Sequence, residues 1–209
     1  MAPEPADPRL TALLLLGPTG SGKTPVGRAL ERIAGWPHLD FGAHLRQIAG
    51  SGDDHGLDPA ERDYVRALVA GNALFPDDAL PLVRRIVAHA LAVAPAGAAR
   101  VVLNGVPRTL AQARGLVDLL DVRHVVLLAC APGVAAARVA LRRAGQGPDD
   151  AGRADDDPAQ VAHKLELFAR ETLPLVAHYR AAGATIVEAE VGVDIGDEEL
   201  ARHLLARLS

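Results

Sequence analysis

Eight consecutive residues, Gly17-Pro18-Thr19-Gly20-Ser21-Gly22-Lys23-Thr24, constrain this chain more than any other stretch. They follow Leu13 to Leu16, an apolar run of strand length, and precede Val26 to Ile33, whose pattern is helical. A strand, a glycine-rich turn and a helix in that order make a loop whose backbone N–H groups point inward. The helix N-terminus adds partial positive charge, so the turn is built to hold phosphate groups. Gly17, Thr19, Gly20, Ser21 and Gly22 shape the cradle, Lys23 reaches the outer phosphates, and the Thr24 hydroxyl can face a phosphate-bound Mg²⁺. Only two of the 22 basic side chains are lysines, Lys23 and Lys164, so a lysine at the required position is a selective match.

The rest of the chain alternates between the two kinds of pattern. Strand-like segments are Ala12–Leu16, His38–Leu39, Arg100–Leu103, His124–Ala129 and Ala184–Ala189. Helical segments are Thr24–Ala34, Phe41–Ala49, Asp58–Ala70, Asp77–Ala94, Thr109–Leu120, Val134–Ala144, Pro158–Ala182 and Glu198–Leu208. This alternation predicts an α/β fold, a five-stranded parallel sheet with helices on both faces and ligands at the carboxyl ends of the strands. Two helix starts are legible: Asp58-Pro59-Ala60-Glu61 and Asp157-Pro158-Ala159-Gln160 each offer an N-cap acid, Pro at N1 and Glu or Gln at N3. Residues 1–8 read as a disordered Pro-rich tail, and 9–209 as one domain.

Composition narrows the partners. A net charge of −4 argues against a nucleic-acid or anionic-membrane surface, though not against a local cationic pocket. The single cysteine, Cys130, excludes an intrachain disulfide and a cysteine-based zinc site, and at the end of Val125–Ala129 it reads as buried and inert. The eight histidines lack metal-ligand spacing and are read as structural or surface groups. Neither a signal peptide nor a membrane-spanning run is evident, so the expected place is the cytoplasm and the expected state a monomer.

Arginines cluster where phosphate chemistry would need them. Arg46 follows the short second strand, and Arg108 lies in Asn104-Gly105-Val106-Pro107-Arg108-Thr109 just after the third. Arg138 and Arg142 are four apart on one helix, Arg153 leaves a glycine-rich loop, and Lys164 lies beyond it. In this order, with Phe41-Gly42-Ala43-His44-Leu45-Arg46 and Arg153-Ala154-Asp155-Asp156, the motifs resemble those of the adenylate kinase family of nucleoside monophosphate kinases, from about Leu13 to Leu208. The resemblance implies a P-loop NTPase fold, an acceptor-binding helical flap over about 40–76 and a short lid over about 143–157. It also implies phosphoryl transfer from Mg²⁺·ATP to a nucleoside monophosphate, AMP by default.

By that resemblance Arg46 and Arg108 would grip the acceptor phosphate, with Gly42 and Gly105 beside it. Arg138, Arg142, Arg153 and Lys164 would close over the donor and transferring phosphates. Gln112 would contact the acceptor base, although Thr109-x-x-Gln112 is also a capping box. Phe41 would wall the base pocket, or belong to the core. Asn104 would hold the metal's hydration shell where the family has Asp, or merely end its strand. Other departures are Ala43 for a second acid, Pro25 in the loop, and Lys164 for an arginine. These departures keep open a second function, a nucleotide-binding regulatory module with little turnover.

Overall fold

Leu10–Leu16 forms β1, buried on both sides from Ala12 onward, as a near-continuous apolar run in a parallel sheet should be. The structure, a computed structural model, describes residues 10–50, 55–94, 100–145, 158–192 and 196–208. The expected tail 1–8, Arg153, the acids 155–157 and nearly all of the expected lid lie outside the described residues.

After β1 come α1 (Lys23–Ala34), β2 (His38–Asp40), α2 (Phe41–Ala49), α3 (Pro59–Ala70), a 3₁₀ turn (Asp77–Ala79) and α4 (Leu80–Ala92). β3 (Arg100–Asn104), α5 (Leu110–Gly115), β4 (Leu120–Ala129) and α6 (Pro132–Arg143) follow. The chain continues with α7 (Pro158–Leu167), a π-helical turn (Phe168–Thr172), α8 (Pro174–Ala181), β5 (Thr185–Glu190) and α9 (Asp197–Arg207). All five strands are parallel in the order β2-β3-β1-β4-β5, the doubly wound arrangement with helices on both faces.

β1 divides the core between those faces because alternate side chains of a strand point oppositely. Leu13 and Leu15 pack with Val26 and Leu30 of α1 and Leu200 and Leu204 of α9. Ala12, Leu14 and Leu16 pack with Val83 and Ile86 of α4 and Leu175 of α8. The helical arm of α2 and α3 is tied back to α4 by histidines. His44 Nδ1 lies 2.8 Å from His55 Nε2, and the His55 ring stacks at 4.7 Å on His89.

Beyond shifts of one or two residues at element ends, three segments differ from the sequence reading. The helix expected over Thr109–Leu120 ends at Gly115, because Leu120 begins β4 and pairs with Leu10 of β1. The polar residues Asp121 and Arg123 disguised that first half of the strand. The helix expected to run from Pro158 to Ala182 is broken by the π-helical turn, where Leu173 N–H reaches back to the Phe168 carbonyl. Pro174 has no N–H to continue the regular ladder. Asp77–Ala94 begins as a 3₁₀ turn, with Pro81 in the first turn of α4.

Candidate functional site: a phosphate loop facing an arginine-lined cavity

The loop between β1 and α1 has the backbone that its glycines foretell. Gly20 has φ +80°, and a Cβ there would lie 2.5 Å from the Ala135 carbonyl oxygen. Gly22 caps α1 with φ +84°, a left-handed conformation that a side chain would strain. The Lys23 ammonium donates to the carbonyls of Gly17 at 2.7 Å and Pro18 at 2.8 Å, bridging the loop across its mouth. Arg138 reaches over from α6 and donates from Nε to the Gly20 carbonyl at 3.0 Å and from Nη1 to that of Gly192 at 3.1 Å. It therefore braces the loop and does not line the cavity. Ser21 is fully buried and also outside the lining, its N–H donating to the Pro18 carbonyl.

A cavity of about 390 Å³ opens from this loop. Gly17, Thr19, Gly20, Gly22, Lys23 and Thr24 form one end, and Gly42, Arg46, Gly105, Arg108, Arg142 and Lys164 surround the rest. α2, the turn after β3 and α6 thus deliver arginines from three separate parts of the sequence to one space. Arg142 is 5% exposed. Burial pushes the Arg108 guanidinium below the usual range of its group, and among the described residues no carboxylate forms an ion pair with Arg108 or Arg46. The Arg108 backbone is fixed on both sides: its N–H donates to Gln112 Oε1 at 2.8 Å, and its carbonyl accepts from Thr172 Oγ1 at 3.0 Å.

Two of the expected acceptor-side residues are placed elsewhere. Phe41 is 3% exposed and packs edge-on against Phe75, so it belongs to the core. Gln112 spends its side chain on Arg108 and its N–H on Thr109 Oγ1, the helix-capping alternative, and does not line the cavity. The apolar wall comes instead from Leu45, Leu68, Val69, Ala73 and Phe168. These were missed because helical periodicity says which face of α2 or α3 is apolar, not whether that face meets core or cavity. Cys130, expected to be buried, is half-buried at the end of β4, and burial raises its thiol pKa against the opposing charges of Arg138 and Lys23.

Thr24, Asp40 and Asn104 meet where α1, β2 and β3 converge. The Thr24 hydroxyl donates to Asp40 Oδ2 at 2.7 Å and accepts from Asn104 Nδ2 at 3.1 Å. Asp40 Oδ1 caps α2 by accepting from the Ala43 N–H at 3.0 Å. Burial works against the Asp40 carboxylate, but the hydrogen bonds from Thr24 and Ala43 and the charges of His38 and Arg46 outweigh it and lower its pKa. Hydroxyl and carboxylate oxygens are hard donors that suit Mg²⁺, so this corner fits the cation that accompanies a polyphosphate. The sequence reading passed over Asp40. The available signal is an acid closing the short strand His38-Leu39-Asp40, three residues before Ala43.

The profile of a family described as "AAA domain" matches residues 16–157. An adenylate kinase of Thermus thermophilus is 33% identical over 196 residues, covering 91% of this chain and 94% of that protein. The adenylate kinase of Clavibacter michiganensis is 33% identical over 83% of this chain and 82% of its own length. That of Stenotrophomonas maltophilia is 32% identical over 93% and 97% respectively. Among the described residues no helix is long and apolar enough to cross a membrane. Phosphate loop, parallel sheet, convergent arginines and end-to-end similarity agree: the chain belongs to the adenylate kinase family of nucleoside monophosphate kinases.

Proposed function

We propose that the chain transfers the terminal phosphoryl group of ATP to a nucleoside monophosphate, with AMP as the acceptor, giving two molecules of ADP. The observation that carries this reading is Arg108, a half-buried guanidinium with no acidic ion-pair partner among the described residues, opening on the same cavity as Lys23. Such a cation needs an anion beside it, and an acceptor phosphate is one.

The donor polyphosphate would lie along Gly17–Thr24 under Lys23, and Arg46 and Arg108 would grip the acceptor phosphate. Arg142 and Lys164 would neutralise charge on the transferring group, with Arg153 joining them from the lid. Arg138 would act one step back, by bracing Gly20. When bound, Mg²⁺ neutralises part of the donor charge, and Thr24 with the polar groups hydrogen-bonded to it would hold it. No general base is required, because the acceptor phosphate is already an anionic nucleophile; positioning, electrostatics and exclusion of water do the work.

Steady-state ADP formation with saturating Mg²⁺·ATP and AMP, CMP, UMP, GMP or dTMP tests the proposal. Turnover greatest with AMP is expected. Silence with all five acceptors alongside tight ATP binding would favour a regulatory nucleotide-binding module, the reading that the amide at 104 and the small residue at 43 keep alive.

A further inference from the structure

Asp40 is the only acidic residue among the described residues that line the cavity, whose lining also carries five basic side chains: Lys23, Arg46, Arg108, Arg142 and Lys164. An acid at the mouth of a phosphate cradle repels the phosphates it faces, unless a cation sits between them. Helix capping does not explain the choice, since Asn and Ser cap as well as Asp does and bring no charge. Asp40 closes β2 in register with Asn104 at the end of β3, so the two side chains flank Thr24 from neighbouring strands. Asn104 turns its donor nitrogen to the Thr24 hydroxyl, which ties up the corner-facing end of the amide. Asp40 keeps acceptor capacity after Ala43 and Thr24 are satisfied, since a carboxylate has about four lone-pair sites.

We propose that Asp40 is the positioning residue for the hydrated Mg²⁺ of Mg²⁺·ATP, its carboxylate at the end of β2 doing what the Asn104 amide at the end of β3 does not. The inference rests on the reading that this cavity holds nucleotide phosphates. Asp40 becomes the charged group behind the metal's waters at the place where the resemblance implies the neutral Asn104, while Thr24 keeps its hydroxyl toward the same corner.

The test is Mn²⁺ binding, followed by electron paramagnetic resonance, to the full chain carrying a non-hydrolysable ATP analogue. Asp40→Asn keeps the α2 cap and removes the charge together with the oxygen that accepts from the Thr24 hydroxyl. It should weaken Mn²⁺ binding about tenfold, the lower end of what loss of an outer-shell partner does to a metal site. Binding of the metal-free analogue should be unchanged or tighter. Asp40→Ser, a second uncharged cap, should behave alike, and adding Asn104→Asp to Asp40→Asn should recover most of the Mn²⁺ affinity. In turnover, the Mg²⁺ concentration for half-maximal rate should rise, with kcat at saturating Mg²⁺ affected far less. Wild-type Mn²⁺ affinity in Asp40→Asn or Asp40→Ser would overturn the assignment and leave Asp40 as a helix cap. Failure of the wild-type chain to bind the analogue at all, with or without metal, would instead overturn the phosphate-site reading beneath it.

Discussion

Arg108 shows how one side chain can be costly and useful together. Its guanidinium is half-buried on the cavity and its backbone is clamped by Gln112 and Thr172, so the cation is held in place before any ligand arrives. Arg108→Ala should therefore lose transition-state stabilisation of about 2–5 kcal/mol, because the acceptor phosphate is left without its partner. Steady-state kinetics with AMP varied reads this as a drop in kcat/KM; an unchanged value removes Arg108 from the site. His124 is a residue-scale case of the opposite kind. Burial lowers its pKa below 6.5, helped by Arg100 and Arg123, and its Nδ1 is buried with no hydrogen-bond partner. The unfolded chain takes up a proton near pH 6.5 that the folded chain resists. Stability present above that pH is thus lost as pH falls toward the depressed folded value. His124→Val, a good strand former between β1 and β5, should stabilise the protein more at about pH 5 than at about pH 8. Urea midpoints at the two pH values measure the difference, and an equal effect at both would show that His124 does not carry it.

At the scale of elements, capping and interruption matter more than helix propensity. Asp58 caps α3 with a complete box: its carboxylate accepts from the Glu61 N–H at 2.9 Å, and Glu61 accepts from the Asp58 N–H at 3.0 Å. Asp58→Ala should destabilise by about 1 kcal/mol, read as a lower denaturation midpoint, and Asp58→Asn by much less. This box was visible in the sequence because every bond in it is local. The π-helical turn was not, although its reason, Pro174, was in view. Proline marks where a helix loses a hydrogen bond but not how the preceding turn will rearrange. That rearrangement places Phe168 and Thr172 on the cavity, and such π turns often sit at functional sites.

For the whole molecule, the cavity lies between the sheet's carboxyl edge and the helical arm of α2 and α3, so binding both nucleotides should draw arm and sheet together. Amide hydrogen exchange in Phe41–Ala49 and Pro59–Ala70 should slow on adding a bisubstrate analogue that joins ATP to AMP, while Ala12–Leu16 stays as protected as before. Equal exchange with and without the analogue would contradict closure. What the sequence by itself determined is the part set by neighbours along the chain: the strand–loop–helix cradle, the parallel α/β class, the cap at Asp58 and the family's ordered arginines. Tertiary structure alone decided which of those side chains share a space. It sent Phe41 to the core, Gln112 to the Arg108 backbone, Arg138 across the loop, and Asp40 to the side of Thr24. The reason is physical. Periodicity and motif spacing report local backbone geometry, whereas a cavity's lining depends on strand order and register, which put Asp40 beside Asn104 although three helices separate them along the chain.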